Sequence, residues 1–150
     1  MQAGAAHVTG GACRSLKDID LIAPASVAAG DAPAERANPI QEAKTTIGFY
    51  GATTNYAFPF DDFGRTGLHD KPSDAARAND NAATQALITD EILDPLAVVA
   101  KWDDVANKMV ARYKGIASRL VIYLASQWRE VDIKTLARWG EVARAVRKAG

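Results

Sequence analysis

Cysteine is almost missing from this sequence. Cys13 stands alone among 150 residues, which excludes an internal disulfide framework and fits a reducing cytoplasm. His7 and His69 are the only histidines, so neither a paired C-x-x-C nor a His/Cys ligand spacing is present, and no metal is expected. Charge of one sign is also missing. The 18 basic and 18 acidic residues cancel, removing the long-range field that draws a protein to nucleic acid or to an anionic membrane. No stretch approaches the roughly 18 apolar residues of a membrane span. The start, "MQAGAAHVTGGACRS", has no basic segment followed by an apolar core, so an unexported, soluble, cytoplasmic chain is expected. G-x-G-x-x-G, the P-loop, H-E-x-x-H and G-x-S-x-G are all absent from the sequence, and with them the commonest short signatures of catalysis.

What is present is ordinary for a globular protein. With 48% hydrophobic and 24% charged residues, residues 1–150 are expected to form one domain. Residues 1–18 have no period and read as a frayed start, with a turn at Gly10-Gly11. Ile19 to Val27 is an apolar run that reads as a strand interrupted by Pro24. Pro39 then falls near a first helical turn, and Ile40, Ala43, Ile47 and Tyr50 follow at helical spacing to about Gly51. From 53 to 81 the aromatics, prolines, glycines and aspartates share no period, which marks an irregular excursion.

Order returns after it. A helix is expected from about Ala82 to Leu93, ended by Pro95, then a strand from Leu96 to Ala100. In the next helix Val105, Ala106, Met109, Val110 and Tyr113 share an arc of about 140° at 100° per residue. Asp103 is placed to cap its start and Lys114-Gly115 its end. A strand from Arg119 to Ala125 follows, and a last helix, Val131 to Lys148, aligns Ile133, Leu136, Trp139, Gly140, Ala143 and Val146. Strands separated by helices pair in parallel through crossovers, so the fold class is α/β.

Few side chains stand out chemically. Asp90, Glu91 and Asp94 suit a solvated helix face, Asp61-Asp62 a loop turn, and His69 an exposed loop. Trp102, Trp128 and Trp139 suit core or rim positions. The basic Arg138, Arg144, Arg147 and Lys148 suit a solvated face that also offsets the helix dipole. One candidate site rests on topology. In parallel α/β sheets ligands bind beyond the carboxyl ends of strands, where helix N-termini present free N–H groups, and Ala100, Lys101 and Trp102 occupy such a corner. Asp103 and Asp104 bring negative charge to the same terminus, so self-capping competes there with an outside anion.

Three segments carry a family resemblance: "TTIGFYGATTNYAFPFDDFG" (Thr45 to Gly64), "ALITDEILDPLAVVAKWDDVANKMVARYKGIASRLVIYLA" (Ala86 to Ala125) and, more weakly, "CRSLKDIDLIAP" (Cys13 to Pro24). In these the chain resembles the C-terminal part of luciferase-like monooxygenases, and in particular their deazaflavin-dependent oxidoreductase branch. The resemblance implies an incomplete (β/α)8 TIM-barrel-like fold made of the C-terminal βα units, since closed barrels run to about 250 residues. It implies coenzyme F420, a deazaflavin, or FMN as cofactor, and a small organic substrate undergoing hydride transfer or monooxygenation. Ala100, Lys101 and Trp102 become the cofactor-facing residues. The family usually has a glycine and then a small hydroxyl residue or proline where this chain has Ala100-Lys101. No catalytic acid, base or nucleophile transfers. Two readings stay open: a truncated relative inactive by itself, and a noncatalytic module that self-associates or docks on a partner through exposed sheet edges.

Overall fold

The computed structural model describes residues 19–56, 60–61, 74–75, 77–78, 80–123 and 132–149. Strand β1 (Ile22–Ala29) leads into helix α1 (Pro33–Gly51), and a 3-10 turn follows at Thr54–Tyr56. Two short helices, α2 (Asn81–Leu87) and α3 (Asp90–Leu96), precede β2 (Ala97–Ala100). Helix α4 (Trp102–Tyr113), strand β3 (Arg119–Tyr123) and helix α5 (Ile133–Ala149) complete the order. The strands form one parallel sheet in the order β2-β1-β3, with Ser26 opposite Ala97 on one side and Ile22 opposite Arg119 on the other. The expected α/β class with parallel βα units is therefore present, consistent with a partial barrel-like fold. The sheet has its own order: β1 lies between β2 and β3, whereas successive strands of a closed barrel are neighbours in chain order.

Helices cover both faces. Ala25, Val27 and Ala29 of β1, with Val98 and Ala100 of β2, pack under Val105 and Met109 of α4 and Trp139 and Val142 of α5. On the opposite face Ala97 joins Ala43 and Ile47 of α1, Phe60, Ile88, and Ile92 and Leu93 of α3. The alternation of β1 between two apolar layers explains why its sequence reads as a near-continuous apolar run. Val105 and Met109 are 0% and 1% exposed, and burying each side chain contributes about 1.5–3 kcal/mol.

Several boundaries shift from the sequence expectation, each for a local reason. Strand β1 begins at Ile22, not Ile19, and tolerates Pro24 because that residue pairs with Val121 alone, while β2 starts only opposite Ser26. There β1 has one neighbour, so a missing N–H can face the open side. Helix α1 starts at Pro33, which puts Pro39 in its interior instead of its first turn; Glu35 accepts a hydrogen bond from the Asp31 N–H at 2.7 Å and fixes that earlier start. The single helix expected over 82–93 is two, because Ile88 leaves the helical path and is 0% exposed. Pro95 does not end α3 but lies one residue before its last, Leu96, which is therefore not in β2. The last helix runs over Ile133–Ala149, and its buried positions are Trp139 and Val142. Ile133 and Leu136, expected on the apolar stripe, are 86% and 51% exposed, because α5 packs on α4 only beyond its first turns. Gly10, Gly11, Asp62, His69, Leu124, Ala125 and Trp128 lie outside the described residues.

Candidate functional site

The carboxyl ends of β1 and β2 meet at one corner. The Gly30 N–H donates to the Ala100 carbonyl at 3.2 Å, extending the ladder one residue past β1. The Arg36 guanidinium donates to the carbonyls of Gly30 and Asp31, so the β1–α1 connection is tied down from above by the first turns of its own helix. A Cβ at Gly30 would lie 2.7 Å from the Glu35 Cβ. Only glycine lets the chain turn this closely onto α1.

Ala100, Lys101 and Trp102 occupy the corner as topology required. Ala100 is buried, Lys101 is exposed, and Trp102 is half-buried as the first residue of α4. Asp103 does not cap the helix, against the sequence expectation. The N-cap is Lys101, with no side-chain cap, and Asp103 is already in the first turn with Asp104. The cap falls two residues early because Trp102 packs edge-on against Trp139 of α5, with ring centroids 4.7 Å apart. Among the described residues the backbone N–H groups of Trp102 and Asp103 have no acceptor, as the first N–H groups of a helix require a partner from outside it.

Residues from a distant part of the chain complete the corner. The Arg138 guanidinium lies 5.5 Å from the Trp102 ring centre and donates to Asp31 at 2.9 Å, a cation–π contact and an ion pair on one side chain. The hydrogen bond to Asp31 raises the Arg138 pKa further above its ordinary value. Trp139 is 7% exposed, and its indole N–H is buried with no partner among the described residues. Sequence reasoning treated Arg138 as part of a solvated basic face and missed Asp31 entirely. Their pairing spans 107 residues and leaves no local signal.

Cavities among the described residues lie elsewhere, and the two described below are not lined by Ala100, Lys101 or Trp102. One, of about 410 Å³, sits on the α1 face of the sheet between Pro24, Ser26, Ile47, Tyr50 and Tyr123. There Tyr50 has its pKa raised, chiefly by charge repulsion from Tyr123 and next by a hydrogen bond with it. The other, of about 490 Å³, lies between β3, α4 and α5. Among the described residues no group of three or more His, Cys, Asp or Glu could hold a metal ion, and no helix is long and apolar enough to cross a membrane.

A family model for luciferase-like monooxygenases matches residues 1–119. The chain belongs to the luciferase-like monooxygenase family. The match contains β1, β2 and α4, and hence the backbone of the corner, and it ends at the first residue of β3. Arg138 and Trp139, on α5, come from beyond it. No curated protein and no solved structure matches this luciferase-like chain.

The family commonly uses flavin-type cofactors, and whether such a group fits depends on the donors at the corner. Two unpaired N–H groups and the Lys101 ammonium suit an anionic group, and the half-buried Trp102 ring suits a planar one beside it. Asp103 and Asp104 oppose the anion but do not occupy the N–H groups. The donor set fits.

Proposed function

We propose that this luciferase-like chain serves a flavin- or deazaflavin-dependent oxidoreductase acting on a small organic substrate, with the corner at Ala100, Lys101 and Trp102 facing the cofactor. The observation that carries the reading is the family match over residues 1–119, which includes that corner. When bound, the cofactor supplies the hydride or activates oxygen. The chain's own residues supply position: the N–H groups of Trp102 and Asp103 and the Lys101 ammonium would hold an anionic group, and Trp102 with Trp139 would wall off water. Arg138, held by Asp31, fixes the tilt of Trp102. We further propose that these residues do not complete a reaction by themselves, since the three described strands are fewer than the eight that enclose a barrel mouth.

Titration of the purified chain with FMN and with the deazaflavin, followed by tryptophan fluorescence and cofactor absorbance, tests both parts. Saturable quenching that is lost in Trp102→Phe and weakened in Lys101→Glu is expected, with no turnover of reduced cofactor. Absence of quenching by either cofactor would remove the corner assignment. Turnover by the chain alone would remove the claim of incompleteness.

A second reading, a noncatalytic module that associates through its sheet, is favoured by one observation. Ile22, Val121 and Tyr123, on the same face of β1 and β3, are 49%, 51% and 42% exposed. Exposed apolar patches beside an open strand edge invite pairing. Sedimentation velocity separates the readings, because a chain that stays monomeric at high concentration is not an association module of itself.

A further inference from the structure

We propose that the cavity between β3, α4 and α5 is a second binding site, for a small molecule with an alkyl body and a single carboxylate head. It lies against β3, α4 and α5, takes in residues of β3 from both faces, and does not depend on the corner. Its volume of about 490 Å³ falls within the range of small-molecule pockets, roughly 300–1,000 Å³. Met109, Val110, Leu120, Ile122 and Val146 make its walls apolar. Three cations, Lys114, Arg119 and Arg147, stand among the lining residues, and among the described residues no carboxylate does.

Helix ends attract cations in any case, and that accounts for part of this arrangement. Both α4 and α5 finish here, with their carbonyl ends, and Lys114 donates to the Ala149 carbonyl at 2.8 Å. Arg119 pairs with Asp20. Arg147, in the last turn of α5, offsets that helix's dipole as well, but it has no hydrogen-bond or ion-pair partner among the described residues, so its guanidinium donors are not taken up. A guanidinium at the lip of an apolar cavity matches a carboxylate in charge and in the planar fork of its donors. A neutral apolar ligand would leave that rim unmatched, and a cation would be repelled by it. The concave shape, sized for a small molecule, points to a single ligand and not to the flat surface of a second copy.

Calorimetric titration of the full chain tests this, with decanoate below its micelle concentration, decylammonium as the opposite charge on the same body, and acetate as the head alone. Decanoate is expected to bind saturably with one site, with decylammonium at least about tenfold weaker and acetate without detectable binding. Arg147→Glu should weaken decanoate about tenfold. Val146→Trp should abolish its binding by filling the cavity; Ala143→Leu fills it less drastically and serves where the larger change perturbs the far-UV circular dichroism. Equal binding of decanoate and decylammonium, unaltered binding in Arg147→Glu and a filled variant, or no saturable binding at all would each overturn the proposal.

Discussion

Replacing Gly48 by alanine sets two effects of known sign against each other. Gly48 lies within α1 and is buried against α2. In a helix interior alanine is favoured over glycine by about 1 kcal/mol, so the change would stabilise an exposed site. Here the added methyl would fall well inside van der Waals contact with the Thr84 Cγ2, with the Thr84 Cβ and carbonyl oxygen both at 3.6 Å. Thr84 is 4% exposed, its branched side chain has few rotamers, and its hydroxyl donates to the Asp80 carbonyl at 2.9 Å. It cannot swing away without giving up that bond. Overpacking of this kind costs about 1–3 kcal/mol, and the stiffness of Thr84 places it near the upper end. The net expectation is a loss of about 1–2 kcal/mol. Thr84→Ser deletes the clashing methyl and keeps the hydroxyl. It should cost about 0.5–1.5 kcal/mol in the wild-type background but restore stability in the Gly48→Ala background, a coupling of about 1–2 kcal/mol in a double-mutant cycle. Urea denaturation followed by far-UV circular dichroism measures all four proteins. If Gly48→Ala is as stable as wild type, or Thr84→Ser costs the same in both backgrounds, the close approach of α1 and α2 at this point is wrong.

Two further predictions rest on backbone and charge. Gly115 has φ of 77° and open space around its Cα, so Gly115→Ala should lose about 1 kcal/mol through the left-handed backbone alone, and Gly115→Asn less, by the same denaturation assay. Tyr50 has its pKa raised by Tyr123, so the folded state holds its proton longer than the unfolded chain. The stabilisation is full below the unfolded value, near 10, and is lost as pH rises through the folded value. Ultraviolet titration at the phenolate band should show one tyrosine with a midpoint above the ordinary value, and Tyr123→Phe should bring it down; an unchanged titration curve would disconnect the two hydroxyls.

Local chemistry made much of the scaffold readable. The arc of Val105, Ala106, Met109, Val110 and Tyr113 emerges on the buried side of α4, with Val105 and Met109 innermost, because helical period and burial coincide in an amphipathic helix. Lys114-Gly115 ends that helix as expected, with Gly115 in the left-handed conformation. The reading failed where tertiary packing outvoted local preference. Asp103 is a good capping residue, yet the edge-on packing of Trp102 against Trp139 places the helix start ahead of it. Pro95 is a helix breaker, yet its position near the end of α3 loses only one intrahelical bond.

The sequence by itself determined that the protein is an α/β chain of parallel βα units and that Ala100, Lys101 and Trp102 lie at a strand's carboxyl end. Both follow from short-range periodicity and from the crossover that parallel strands require. Only the tertiary structure decided that β1 lies between its two partners, and that Asp31 and Arg138 meet across 107 residues to hold Trp102. It also decided that Lys114, Arg119 and Arg147 gather around one apolar cavity. Strand order and long-range pairing are set by which faces must be buried together, and no window of neighbouring residues contains that information.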